Sequence, residues 1–594
     1  MGIKGIFSRW FVHFNVWRIK NISHHNLLLI LAIVVGLFSG IVAVILKNLI
    51  HFIHTFLTKG FTLTNWNYLF LLYPIVGIFI TLIYVRYIVK DDIGHGITKI
   101  LYAMSRRDSN IKAHNTFTSV IGSAFTIGFG GSVGAEAPIA LTGAAIGSTL
   151  GRWFHLNYKT ITLLIGCGAA GAVAGIFKAP MAGFMFTLEV LMLDLTIASI
   201  VPLLLSAVTA ASVAYFFLGK GAEFNFILEI PFELNTLPYY LILGVVGGLV
   251  SFYITRGTLF FEKKLEKIKN IYLKWIIGGV TLSVLIFFLP PLYGEGYDTI
   301  SALLAGNSDA IFANSMFYNY KDSVWVIVIF LFALIGFKVV AASATNGSGG
   351  VGGIFAPSLF IGGVTGYMLA VILNMFGANV PESHFTLVGM AAMMSGVMHA
   401  PLTAIFLIAE ITNGHALFIP LIVVSTLSLL TNKYFEPHTI YTKRLARRGE
   451  LLTHHKDQAV LTLLRLDKVL ETDFHTVTPN QTLGELVKVI ARSKRNIFPV
   501  INHEERLIGI VMLEDIREIM FNNELYSTTN VHHYMMVPPA FIDIDERMDQ
   551  VMKKFEQTDA WNLPVVDDGK YVGFVSKSKI FSAYRSVLVH FSEE

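Results

Sequence analysis

Two apolar stretches of this chain are broken by glycine in the same way, and that duplication narrows what the chain can fold into. They read GFGGSVGAEAPIALTGAAIG at 128–147 and GSGGVGGIFAPSLFIGGVTG at 347–366. Gly130, Gly131, Gly134, Ala137, Pro138, Gly143 and Gly147 recur, each 219 positions later, as Gly349, Gly350, Gly353, Ala356, Pro357, Gly362 and Gly366. Glycine lets backbone turn tightly, and a proline just before an apolar run suits the first turn of a helix, where its missing N–H costs nothing. Each copy therefore reads as a loop followed by a helix N-terminus. Such a terminus presents unpaired N–H groups and the positive end of the helix dipole, which together attract an anion.

The setting is a membrane. Of 594 residues, 54% are hydrophobic and 14% charged, and the mean hydropathy of +0.62 excludes an ordinary soluble enzyme. The net charge of +5 is small for this length, and the basic residues flank apolar runs, so they argue orientation and not nucleic-acid binding. Cys167, the single cysteine, permits no intramolecular disulfide and reads as packing. Residues 1–25 carry Lys4, Arg9, Arg18 and Lys20, and no acid precedes Asp91, which places the N-terminus in the cytoplasm. The run from Asn26 to Leu46 lacks a small-residue cleavage site and reads as a retained first span. Further long runs lie at 69–88, 199–218, 237–256, 273–290 and 323–343, with shorter, glycine-interrupted ones around the two motifs.

A second repeat links KAPMAGFMFTLEV at 178–190 to HAPLTAIFLIAEI at 399–411, so that Ala179, Pro180 and Glu189 correspond to Ala400, Pro401 and Glu410. Duplicated units with broken helices mark transporters whose site lies between the halves. Glu136 stands in the first glycine turn, where its carboxylate can imitate an anion at the same N–H groups. An acid at membrane depth usually has a task. A capping carboxylate is the competing structural role, but the second copy has Phe355 at the matching position, so the helix start does not require an acid.

These residues resemble the CLC chloride channels and proton/chloride exchangers across nearly the whole chain. GSVGAEAP at 131–138 resembles the gating-glutamate motif, GIFAP at 353–357 the second anion-binding motif, and FEPHTIY at 435–441 the segment with the pore tyrosine. The resemblance implies a polytopic α-helical CLC fold with an inverted internal repeat, a homodimer with one pore per subunit, and Glu136 as external gate and proton acceptor. It also implies an anion held by the amides of Ile354 and Phe355 and by the Tyr441 hydroxyl, with Ala135 and Ala137 flanking the gate in the anion-binding set. Tyr441 on its own would read as an interfacial anchor.

Two departures matter. GHGITK at 94–99 has His95 where the family usually has serine; either the imidazole donates to the anion, or His95 is packed away and the amides of Gly96 and Ile97 serve alone. Anion preference among chloride and its relatives therefore stays open. The inner proton glutamate of the exchangers is replaced by Val190, which favours passive conduction, although water or another acid could carry protons. Glu189 and Glu410 read as structural acids satisfying helix-end N–H groups, and Lys178 as a local charge partner that could also raise the anion potential of an inner vestibule.

YTKRLARRGE at 441–450 turns basic, placing the remainder of the chain in the cytoplasm. Beyond it, NIFPVINHEERLIGIVMLEDI at 496–516 echoes WNLPVVDDGKYVGFVSKSKI at 561–580 in a soluble α/β pattern that resembles a tandem pair of CBS domains. Such pairs often bind adenine nucleotides through a serine or threonine and an aspartate three residues on. Here the determinants are split: Met512 with Asp515, and Ser576 with Lys579. Asp515 and Ser576 are the nucleotide candidates, against a purely dimerising role.

The expected organisation is a cytoplasmic segment 1–25, a membrane domain 26–446 with repeats near 26–220 and 237–446, a linker 447–470, and CBS domains at 471–530 and 531–594. The expected function is gated movement of chloride or a similar monovalent anion across a plasma or inner membrane, as a channel, with proton-coupled exchange as the alternative. A non-conducting membrane nucleotide sensor is the remote one. No enzyme motif, required cofactor, metal site or nucleic-acid partner is expected; His503 and Glu504 lack a second histidine for an HExxH pair.

Overall fold

The computed structural model describes residues 18, 20–59, 68–105, 109–193, 196–219, 221, 224, 232–412, 415–447 and 466–583. Lys4, Arg9, the end of the basic segment at 448–450 and most of the expected linker lie outside the described residues. Two compact units result, Met1–Leu451 and Leu452–Glu594.

The first unit is helical. Its first half contains α1 (His24–Thr58), α2 (Tyr73–Ile83), α3 (Gly96–Ser105), α4 (Thr118–Gly128), α5 (Glu136–Trp153), α6 (Tyr158–Phe177), α7 (Pro180–Glu189) and α8 (Ile197–Leu218). The second half contains α9 (Leu237–Glu266), α10 (Ile271–Phe288), α11 (Tyr297–Leu304), α12 (Val324–Gly347), α13 (Phe355–Met375), α14 (Glu382–Met398), α15 (Pro401–Thr412), α16 (Phe418–Phe435) and α17 (Ile440–Arg447). Local chemistry sets their starts. Ser23 and Asn157 cap α1 and α6 with side-chain oxygens, Thr196 forms a capping box with Ser199 on α8, and Pro180 and Pro401 open α7 and α15. Among the described residues, nine helical segments are long and apolar enough to cross a membrane. They include all six long apolar runs of the sequence, and also Tyr158–Phe177 and Phe355–Met375, the most buried of the set.

The two halves meet through reciprocal contacts between equivalent residues. Gly134 and Gly353 form an antiparallel bridge, each N–H donating to the other's carbonyl at 2.9 and 2.7 Å. Ser132 N–H donates to Thr345 Oγ1 at 3.1 Å, and Val351 N–H donates to Thr126 Oγ1 at 3.0 Å. When residue i touches j' and j touches i', a two-fold axis passes between them. The membrane unit is thus an inverted repeat of broken helices, and the axis runs through the two glycine motifs. Gly130 and Gly349 both carry positive φ, +96° and +108°, a backbone that other residues resist.

The second unit is α/β. It holds α18 (Leu466–Val469), β1 (Leu470–Glu471), α19 (Leu483–Arg492), β2 (Ile497–Ile501), β3 (Leu507–Met512), α20 (Leu513–Ile516), β4 (Ile542–Asp543), α21 (Met548–Thr558), β5 (Asn562–Asp567) and β6 (Lys570–Ser576). One sheet has the order β1-β6-β5-β4 and the other pairs β2 with β3. Residues 466–470, inside the expected linker, are helix and strand instead, because β1 supplies an edge partner for β6.

Candidate functional site

Helices α5 and α13 begin at Glu136 and Phe355, equivalent positions of the two copies. Glu136 opens its helix and does not sit in the turn before it. The first N–H groups of a helix have no acceptor within it. At α5 these groups are crowded by acid. Ala135 N–H donates to Glu295 Oε1 at 2.9 Å, and Tyr297 Oη donates to Glu136 Oε1 at 2.5 Å. Glu136 is 1% exposed, and its Oε2 closes no hydrogen bond. A Cβ on Gly134 would stand 2.0 Å from that oxygen, and the carboxyl lies near the N–H groups of Glu136 and Ala356. Glu295 comes from the turn before α11, which Lys338 holds from α12. The Lys338 ammonium, fully buried, donates to Gly294 O at 3.0 Å and lies 4.7 Å from the Phe360 ring centre.

At α13, no carboxylate accepts from Ile354 N–H or Phe355 N–H among the described residues. Tyr441, at the start of α17, is buried, and its hydroxyl has no partner among the described residues. The charges that act on that hydroxyl are Arg444 and Glu136. A buried polar atom left unsatisfied costs about 1–3 kcal/mol. The orphaned Tyr441 hydroxyl and the open start of α13 are each a donor of the kind an anion accepts from. Helix α3 starts beside α5: Gly96 sits against the Ala137 carbonyl, so that the N–H groups of Gly96 and Ile97 open α3 next to the first turn of α5.

Two cavities flank this point. The first, about 200 Å³, is lined by Lys47, His51, His54, Glu136, Glu295 and Tyr297. The second, about 490 Å³, is lined by Asp91, His95, Lys99, Lys112, Glu262 and Arg444. His95 thus faces a cavity. Its φ of +51° is one that histidine tolerates better than most residues. Arg444 pairs with Glu262 at 2.6 Å. Burial acts to raise the Asp91 carboxyl, but Lys112, Lys99 and His114 outweigh it and hold it below its ordinary value.

Val190 is buried at the end of α7, an aliphatic side chain with no proton to exchange. Glu189 and Glu410 cap each other's repeat. Glu189 accepts from Leu402 N–H, Thr403 N–H and Thr403 Oγ1 at 2.7–3.0 Å, and Glu410 accepts from Met181 N–H and Ala182 N–H at 3.1 and 2.9 Å. Lys178 and His399 end α6 and α14 in the left-handed conformation. Lys178 Nζ donates to the carbonyls of Gly219 and Gly221 at 3.2 and 2.6 Å. In the second unit, Asp515 is exposed on α20. Ser576 is buried, and its hydroxyl donates to Glu471 Oε2 at 2.9 Å while accepting from Lys579 N–H.

Glu295, Tyr297 and Lys338 were not among the residues expected at the site. A lone lysine in the 24-residue apolar helix α12 was the available signal, since ionisable groups in spans usually serve function.

Known proteins resemble this chain in sequence and in fold. The sequence profile described as voltage gated chloride channel matches residues 76–433, and CBS-domain profiles match 466–522 and 531–586. The H(+)/Cl(-) exchange transporter ClcA of Vibrio cholerae is 28% identical over 436 residues, covering 70% of this chain and 89% of that protein. The chloride channel protein CLC-f of Arabidopsis thaliana is 25% identical over 493 residues, 72% of this chain and 61% of that one. A slow cyanobacterial Cl-/H+ antiporter matches in fold with a TM-score of 0.62 at 22% identity, over 72% of this chain and 99% of that chain.

Proposed function

We propose, for a chain that belongs to the voltage gated chloride channel family and carries two CBS domains, that chloride crosses the membrane between the starts of α5 and α13. CLC-type chloride transport by a membrane-embedded protein is the premise, and individual residues then divide the work. Glu136 is the external gate, since its carboxylate occupies the place an anion would take at the α5 N-terminus. The anion rests at the amides of Ile354 and Phe355 and at the Tyr441 hydroxyl. The orphaned Tyr441 hydroxyl is the observation that carries this reading, because burial without a partner is costly and a chloride ion would satisfy it. The amides of Gly96 and Ile97, with His95 on the inner cavity wall, complete the approach from the cytoplasm.

Conduction is passive in this proposal. Val190 offers no carboxylate, Glu189 is engaged at α15, and Asp91 at the second cavity is held ionised, so none of them suits proton relay. Proton-coupled exchange is the second reading, favoured by the exchanger among the relatives. The protein acts as a homodimer with both termini in the cytoplasm, and its CBS pair stabilises or modulates that dimer. An adenine nucleotide there would use Asp515 or Ser576, and at Ser576 its ribose would have to displace Glu471.

The test is chloride efflux from liposomes of purified protein, with external pH recorded while an ionophore clamps voltage. Chloride flux without proton movement is expected. Uphill proton movement driven by a chloride gradient would establish exchange instead.

A further inference from the structure

Ala135 N–H is one of the amides expected to receive an anion, yet it already donates to a carboxylate from another part of the chain. Glu295 lies 160 residues away in sequence, in the segment PPLYGEGYD at 290–298. Two glycines shape that segment around it: Gly294 and Gly296 have φ of +59° and +87°. Lys338 pins the segment through the Leu292 and Gly294 carbonyls. The next side chain but one, Tyr297, reaches Glu136 itself. Glu295 is partly exposed and lines the first cavity with Asp298, His54 and Lys47, so it stands on the route to Glu136.

We propose that Glu295 is a second gate, a carboxylate that occupies the outermost anion position at the Ala135 amide and must be displaced before an anion reaches Glu136. This deepens the chloride reading of the same site and rests on it. A carboxylate at a helix N-terminus forms a charge-assisted hydrogen bond, stronger than one to a neutral acceptor. An incoming chloride therefore competes with a tethered anion for the same donor. Only the fraction of molecules with Glu295 released binds at that position, and the apparent affinity falls by that fraction. Glu136 and Glu295 then lie in series. Glu136 covers the amides where α5 meets α13, and Glu295 covers the one amide before them. Tyr297 and Lys338 act as positioning residues for the pair.

The experiment is isotopic chloride exchange in liposomes with equal chloride inside and out, which makes the result independent of how the protein inserts. Half-saturating chloride and maximal rate are read for the wild type, Glu295→Gln and Glu295→Asp. Glutamine keeps the shape and removes the charge; aspartate keeps the charge but is one methylene too short to reach Ala135 N–H from the same backbone. Both variants are expected to lower half-saturating chloride by about threefold to tenfold, with a smaller change in maximal rate. A wild-type value in both would overturn the proposal. So would a shift in Glu295→Gln with none in Glu295→Asp, because that pattern assigns Glu295 a field effect without occupancy. If Glu295→Gln fails to fold, Glu295→Asp decides alone, because it keeps the charge and removes only the occupancy. A wild-type protein that exchanges no chloride at any concentration would sink the chloride reading, and this proposal with it.

Discussion

The two copies of the glycine motif share a backbone and differ in chemistry. Both turn at a glycine with positive φ, both start a helix at the same position, and they hydrogen-bond to each other across the axis. Around α5 stand two carboxylates and a phenol, whereas α13 starts with a phenylalanine and has no carboxylate on its first N–H groups among the described residues. In the proposed function one copy is closed by the protein's own anions and the other is left for the substrate. Symmetry supplies a pair of helix N-termini, and on that proposal the side chains that break the symmetry divide gate from binding site.

If that division holds, damage to the shared scaffold should be equal in the two copies, and damage to the chemistry should not. The largest effect is expected from Gly143→Ala and Gly362→Ala. Their new Cβ atoms would stand 2.0 and 2.5 Å from the carbonyls of Gly168 and Gly389, both stiff backbone. Each should lose more than about 3 kcal/mol, seen as loss of monodisperse protein in detergent. Survival of either variant with a normal melting temperature would show that close packing is not shared.

Next come the exchanged caps. Glu189→Gln and Glu410→Gln weaken three and two hydrogen bonds respectively, so each should cost about 1–3 kcal/mol in thermal unfolding, with neither changing proton movement. Altered proton coupling in Glu189→Gln would make it a carrier after all. Tyr297→Phe removes the hydroxyl that holds Glu136 and has no counterpart in the second copy. A hydrogen bond to a charged group contributes about 1.5–3 kcal/mol, so chloride flux should change by about tenfold to a hundredfold. Tyr441→Phe is the mildest, raising half-saturating chloride by about fivefold through one lost hydrogen bond of about 1 kcal/mol.

Much of this was legible in the sequence, and for identifiable reasons. A 219-residue offset exposed both helix starts, because loop-then-helix geometry follows from glycine and proline alone. Long apolar runs marked six spans. Helices α6 and α13 were harder to read, since the glycines that let buried spans pack closely break their apolar runs into short pieces. Glu295 and Tyr297 were out of reach: they meet Ala135 and Glu136 across 160 and 161 residues, and only the fold brings them together. Glu136 was legible because its repeat mate is Phe355, which shows that the helix start itself needs no acid.

The most direct measurement is therefore chloride efflux from liposomes with Glu136→Ala beside the wild type, with proton movement recorded in the same vesicles. Removal of the gate carboxylate should change chloride efflux several-fold and leave no proton movement coupled to it. Efflux indistinguishable from wild type would contradict the assignment of Glu136 and, with it, the division of labour between the two copies.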